Sequence, residues 1–299
     1  MSTPPRILHM LVPTSHVSPF DVNMAADAGF GVIVPYTGVS PEETRALVQD
    51  AIFSRPPGRF ASTGVFIGGW DINVAADMFA AAREAQVPPF EVGVFTDPNG
   101  AYTTAGAMVA MIEKQLKLKT GNGLAGCKVV IYGGGPVGIS AAVLVAQAGG
   151  EPVLARLTPH DEKRDAVVAR FAERYQVALP IRDAQTAAFK MEALEDADVV
   201  ITAAKAGIRI LTADMLKQAR RLVVAADVNA VPPAGIEGVG VHDKGVALTA
   251  VDGAVGIGAL AIGNVKYKTQ HGLFKRMLAA DKVQMLDFPD AYQLARELV

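Results

Sequence analysis

The sequence predicts an α/β protein of two domains built on mostly parallel sheets. Three observations carry this. Short apolar runs alternate with helical stretches along the chain, which favours parallel strands joined by right-handed crossovers. A glycine-rich strand–turn–helix stands at Lys128–Ser140, "KVVIYGGGPVGIS". A polar, glycine-rich segment, "TGNGLAG" (Thr120–Gly126), parts two such series and reads as a hinge. The expected organisation is a first domain over residues 1–122, a second over 123–264 and a helical segment over 265–299.

In the first series "RILHMLV" reads as a strand and "SPFDVNMAADAG" as a helix. Ser18 is the expected N-cap, with a proline at the first helical position and Asp21 in the first turn. "GVIVPYTG" is the second strand. "SPEETRALVQDAIF" repeats the Ser-Pro start, with Glu43 at capping-box distance from Ser40. "STGVFIGG", "NVAADMFAAAREA", "FEVGVFTD" and "TTAGAMVAMIEKQLKLK" continue as strand, helix, strand and long helix. In the second series "CKVVIYG" and "EPVLARL" are strands around the helix "PVGISAAVLVAQAG". "DEKRDAVVARFAERY" is a charged amphipathic helix. "DADVVITAA" and "RLVVAADV" are strands apolar on both faces. "GVALTAV" is expected to be the last strand, followed by helices in "NVKYKTQHGLFKRMLAA" and "DAYQLAREL".

Composition narrows the function. The 299 residues are 51% hydrophobic and 19% charged, enough for sizeable cores. A net charge of −2 gives no field for nucleic acid or an anionic membrane. The uncharged run Val129–Gly150 is broken by three glycines and a proline, so it reads as a buried strand and helix rather than a membrane span. Cys127 is the only cysteine, and no export signal is visible, so the expected location is the cytoplasm. The five histidines are scattered without metal-ligand spacing, and no metal is expected.

Gly133, Gly135 and Gly138 fit G-x-G-x-x-G between a strand and a helix. The first glycine permits the tight turn, the second lets backbone approach a pyrophosphate, and the third lets helix pack on strand. Pro136 and Val137 open the helix whose N-terminus stabilises the anion. No lysine follows Gly138, which excludes a Walker A loop. The second strand ends at Arg156 with no acid on its last residues. Arginine pairs with a 2′-phosphate where an acid would repel it. NADP is therefore expected over NAD by about 10–150-fold, with NAD still admitted. Thr158, His160, Lys163 and Arg164 add candidate contacts, with solvated helix-start charges as the less favoured reading of Lys163 and Arg164. Ala203, Asp227, Asn229, Gly256 and Gly258 complete the expected cofactor surface. Gly256 and Gly258 read equally as backbone near a nicotinamide or as a packed strand.

Polar residues also gather at strand ends of the first series, where open α/β sheets bind ligands. They are Ser18, Asp21 and Asn23, then Asp97, Asn99, Thr103 and Thr104, with Phe20 among them. Each polar residue among them has the alternative reading of a cap or turn residue, and for Asp97-Pro-Asn-Gly the two readings are even.

The segments "HMLVPTSHVSPFDVNMAADAGF", "FIGG", "DPNGAYTTAGAMVA", "ADVNAVPPAGI" and "VGIGALAIGNVKYKTQ" span most of the chain. In this combination the chain resembles the NAD(P)-dependent methylene-tetrahydromethanopterin dehydrogenases, relatives of the methylene-tetrahydrofolate dehydrogenases. The resemblance implies an N-terminal pterin-binding domain, a Rossmann NADP-binding domain and C-terminal helices returning to the first domain. It implies oxidation of a methylene-tetrahydropterin to the methenyl form, with hydride passing to NADP or NAD. The methylene carbon lies between two nitrogens whose lone pairs support the cation left behind, so no general base is needed. Asp21 and Asp97 are the implied carboxylates for the pterin or the developing charge, and Lys266 matches a family lysine that positions substrate. The tyrosine–lysine pair with which bifunctional folate enzymes hydrolyse the methenyl product is missing: "SPFDVNMAADAG" has no lysine. No cyclohydrolase activity is expected, and a homo-oligomer is. The competing readings are a methylene-tetrahydrofolate dehydrogenase, a shikimate-dehydrogenase-like enzyme and a nucleotide-sensing protein. A shikimate-type enzyme needs a Lys–Asp pair, and the first lysine of the chain is Lys114.

Overall fold

The computed structural model describes residues 5–56, 59–279 and 282–299. In chain order its elements are β1 (Ile7–Val12), α1 (Pro19–Ala28), β2 (Val32–Thr37), α2 (Pro41–Phe53), β3 (Thr63–Ile67), α3 (Ile72–Glu84), β4 (Gly93–Thr96), α4 (Ala101–Thr120), β5 (Lys128–Tyr132), α5 (Pro136–Gln147), β6 (Glu151–Arg156), α6 (Glu162–Arg174), β7 (Ile181–Asp183), α7 (Ala187–Leu194), β8 (Val199–Thr202), α8 (Ala213–Leu216), β9 (Val224–Asp227), β10 (Lys244–Ala247), β11 (Val255–Ile257), α9 (Ala259–Ala279), β12 (Met285–Leu286) and α10 (Phe288–Leu298). The α/β class with parallel sheets is as the sequence predicts. The chain divides into two compact units, Met1–Thr103 with Tyr267–Leu294, and Thr104–Lys266 with Ala295–Val299. The segment Thr120–Gly126, read above as a hinge, lies inside the second unit.

The first unit holds a five-stranded sheet in the order β12-β4-β3-β1-β2, with every pairing parallel. The chain leaves β1 for β2 on one side and returns to β3 on the other, so the strand order reverses between β1 and β3. One face is covered by a cluster of Leu8, Met10, Phe66, Phe95 and Phe274. Ring centroids of Phe66, Phe95 and Phe274 lie 5.0–5.5 Å apart, in the range of favourable aromatic pairs. Removing one such buried ring costs about 3–5 kcal/mol. The other face packs Val48, Ile52, Met78 and Phe79 of α2 and α3 against Val65 and Ile67. The capping box at Ser40 and Glu43 forms as expected. Asp71 caps α3 through the amides of Asn73 and Val74.

The second unit holds a seven-stranded sheet, β10-β11-β9-β8-β5-β6-β7, parallel except for the edge pair β10–β11. Its order reverses between β5 and β8. β5, β8 and β9 are buried through most of their length, as their unbroken apolar runs require. Four strands differ from the sequence reading. The "VGI" run is the parallel strand β11, so "GVALTAV" contributes the antiparallel edge β10 instead of closing the sheet. β7 and β12 are too short to show an alternating pattern.

Candidate functional site

In the second unit, β5 ends in the turn Gly133–Gly135 and α5 begins at Pro136. Gly133 has φ +130°, a region a side chain rarely adopts. A Cβ at Gly138 would overlap the carbonyl oxygen of Gly133. These two glycines are therefore required by the fold. Gly134 and Gly135 are different: a Cβ at either would meet nothing within 4 Å. Both line a cavity of about 650 Å³, in the size range of cofactor sites. The turn thus leaves a space beside the α5 N-terminus that any side chain at Gly135 would begin to fill. That arrangement fits a dinucleotide pyrophosphate.

The cavity runs from Gly133–Gly135 past Leu154–Thr158 at the end of β6 to Ala203–Lys205 at the end of β8. It therefore sits at the switch point between β5 and β8. Arg156, Thr158 and Ala203 line it, as does Arg164, whose NH1 donates to Thr158 Oγ1 at 3.0 Å. Lys163 does not line it; its amide binds Asp161 Oδ1 at the start of α6. Lys190 was not legible as a site residue. It lines the cavity, donates to the Ile210 carbonyl at 3.1 Å, and burial lowers its pKa. Tyr132 holds α7 by donating to the Lys190 carbonyl at 2.9 Å, and burial pushes its phenol up.

Arg156 is not free at the strand end. Its Nε donates to Asp183 Oδ1 at 3.0 Å and its NH1 to Asp165 Oδ2 at 2.8 Å. The expectation of a 2′-phosphate site without acids overlooked both, because neither lies on β6.

The remaining expected cofactor residues do not line this cavity. Pro136 and Val137 form the first turn of α5. Asp227 is buried and accepts from Thr202 Oγ1 (2.7 Å) and from the amides of Asn229, Gly235 and Ile236. The Asn229 side chain receives the amides of Gly207 and Val231 and donates to Pro233. Both residues shape the loop after β9. Gly256 lies within β11, and a Cβ at Gly258 would collide with the backbone of Gly240 and Val241. Close packing explains both glycines.

In the first unit a second cavity, about 160 Å³, opens at the switch point between β1 and β3. It is lined by Ser18 and Asp21 from the start of α1, Asn99 after β4, and by Thr14, His16 and Trp70. Ser18 occupies the N-cap of α1, yet its side chain makes no capping bond. Asp21 is buried and accepts from Gln270 Nε2 at 2.6 Å, an α9 residue 249 positions away. Trp70, the only tryptophan, is 64% exposed and meets the His16 ring edge-on at 6.5 Å. Its position directly after a strand end was the available signal in the sequence. Phe20 (44% exposed) and Asn23 lie on α1 outside the cavity lining.

Asp97 is fully buried elsewhere. It accepts from the amides of Tyr102 and Thr103 and from Thr103 Oγ1 at 2.6 Å, so Asp97 and Thr103 together start α4. Asn99 holds φ +51° in the intervening turn. Thr104 and Lys266 are half-buried on α4 and α9 and belong to the second unit. Among the described residues no group of His, Cys, Asp and Glu is placed to hold a metal, and no helix is long and apolar enough to cross a membrane.

A parallel sheet with its glycine turn and cavity at one switch point defines a Rossmann-type, dinucleotide-binding α/β protein. Residues 19–99 match the N-terminal domain model of methylene-tetrahydromethanopterin dehydrogenase. The chain is 47% identical over 295 residues to the NAD(P)-dependent methylenetetrahydromethanopterin dehydrogenase of Methylorubrum extorquens, covering 98% of each chain. It therefore belongs to the methylene-tetrahydromethanopterin dehydrogenase family. It is also 33% identical to the bifunctional protein MdtA of the same organism, over 94% of each chain. Shikimate 5-dehydrogenase from Listeria monocytogenes shares the fold, with a TM-score of 0.53 at 13% identity over 98% of this chain and 96% of that one.

Proposed function

We propose that the chain oxidises methylene-tetrahydromethanopterin to methenyl-tetrahydromethanopterin with NADP or NAD as acceptor, and that it does not hydrolyse the product. The observation that carries the substrate half is the first-unit cavity, where a buried carboxylate stands beside an exposed tryptophan at a switch point. The bound nicotinamide supplies the hydride acceptor. The work left to the protein is binding, orientation and exclusion of water. Gly135 and the first amides of α5 hold the pyrophosphate. Asp21 accepts hydrogen bonds from the pterin donor edge, and Gln270 fixes the orientation of that carboxylate. Trp70 offers a flat apolar face to the pterin ring. Lys266, on α9, is assigned to substrate positioning by the family resemblance alone. No side chain has to take a proton from the reacting carbon.

The same reading includes a homo-oligomer in the cytoplasm.

The test is to incubate purified protein with methylene-tetrahydromethanopterin and NADP, following NADPH absorbance and the fluorescence of the single tryptophan. Reduction of NADP and quenching of Trp70 by the pterin alone are expected. Reduction with shikimate but not with the methylene-pterin would reject the reading.

A further inference from the structure

The surroundings of Arg156 bear on which dinucleotide the chain accepts. β6 and β7 pair in parallel register with Arg156 opposite Asp183. Arg156 presents Nε and NH2 to the same Asp183 oxygen, each at 3.0 Å. On the other side NH1 donates to Asp165 Oδ2 at 2.8 Å, and His160 Nδ1 lies 2.9 Å from NH1 and 3.0 Å from that carboxylate. Gln185 donates to Asp183 at 3.3 Å, which holds the second carboxylate in place. The bond to Arg156 keeps the Asp183 carboxyl below its usual range. One guanidinium thus faces two carboxylates, +1 against −2, and most of its donors are engaged. Asp165 lines the cavity together with Arg156, Thr158 and Arg164.

This arrangement treats the two cofactors differently. A 2′-phosphate reaching Arg156 has to take donors from two carboxylates while remaining beside them as a like charge. A 2′-hydroxyl can donate to a carboxylate, the role an acid on the second strand has in NAD-binding domains. The end of β6 carries no acid, its only one being Glu151 at the start of the strand, and the carboxylate nearest that end from another element of the cavity lining is Asp165 of α6.

We propose that Asp165 and Asp183 are specificity-determining residues: they withhold Arg156 from a 2′-phosphate, and Asp165 receives the ribose 2′-hydroxyl, so NAD is admitted beside NADP. The proposal rests on the reading of the 650 Å³ cavity as the dinucleotide site. Arg164 and Thr158 are then the residues left to meet a 2′-phosphate.

The experiment measures calorimetric affinities of the full-length chain for NADP, NAD, 2′,5′-ADP and 5′-AMP. It compares the wild type with Asp165→Asn and Asp183→Asn. Removing one competing carboxylate is expected to raise the NADP-to-NAD affinity ratio about tenfold, the size of one charge-assisted hydrogen bond. The ratio of 2′,5′-ADP to 5′-AMP should rise in parallel, with NAD affinity falling in Asp165→Asn. Asp183→Asn reads the same direction independently should the other variant not fold. An unchanged or lowered ratio in a folded variant that still binds dinucleotide overturns the proposal alone. Failure of the wild type to bind any of the four ligands overturns the cavity reading and the proposal with it.

Discussion

Replacing Gly135 by alanine tests the phosphate cradle without disturbing the fold. Gly135 has φ −86° and ψ 179°, which any residue adopts, and its added methyl meets nothing within 4 Å. The folded state accepts the change, and the unfolded chain loses freedom, so stability should stay level or rise by about 0.4–1 kcal/mol. The methyl nevertheless stands in the cavity wall at the N-cap of α5, where an anion must approach backbone. Losing one charge-assisted hydrogen bond there costs about 1.5–3 kcal/mol, or roughly 10–150-fold in affinity. Gly138→Ala makes the opposite case. Its Cβ would overlap a backbone oxygen and lie 3.2 Å from the carbon that bears it, so α5 must move. Overpacking of that kind costs about 1–3 kcal/mol or more. Thermal melts and fluorescence titration of NADPH read both variants. Gly135→Ala should keep its Tm and lose affinity, while Gly138→Ala should lose several degrees. Wild-type affinity in Gly135→Ala would refute the assignment of this turn to the pyrophosphate.

Asp97→Ala should destabilise the chain by about 2–5 kcal/mol in urea denaturation, because it strands two buried amides and leaves the Thr103 hydroxyl only the longer bond to the Gly100 carbonyl. Turnover per folded molecule should change little. Asp21→Asn should lower kcat/KM for the pterin by about 10²–10³-fold with the dinucleotide Kd unchanged, a separation steady-state kinetics and calorimetry resolve. Asp287 is pushed up to about 7, chiefly by burial and also by neighbouring Asp290, with Arg83 opposing. Its folded pKa lies above the unfolded value of 3.8, so the stability from its bound proton is complete below about pH 4 and is lost as pH rises through 7. Melting temperature should fall between pH 5 and 8 in the wild type, and Asp287→Asn should flatten that slope.

The legible part of the chain is the part whose signals are local. An unbroken apolar strand, a glycine turn and a helix with proline at N1 made β5–α5 readable, and the Ser-Pro starts placed α1 and α2. What was not legible depends on register and distance. Asp183 sits on a three-residue strand with no pattern of its own, and only its pairing with β6 sets it against Arg156. Asp21 reads in the sequence both as a helix-start acid and as a site carboxylate, and its bond to Gln270 of α9, 249 positions away, has no local signal. Asp97 and Asn99 are two positions apart in sequence, yet one is committed to the α4 start and the other lines a cavity. Aspartate and asparagine serve caps and ligands equally well, so residue type could not separate them.

Direct hydride passage from the pterin to the dinucleotide is read by running the reaction with substrate deuterated at the methylene carbon, in ordinary water, and analysing the reduced cofactor by mass spectrometry and NMR. One deuterium at C4 of the nicotinamide per turnover is expected, with no exchange against solvent. Reduced cofactor without deuterium, or no reduction with this substrate, would contradict it.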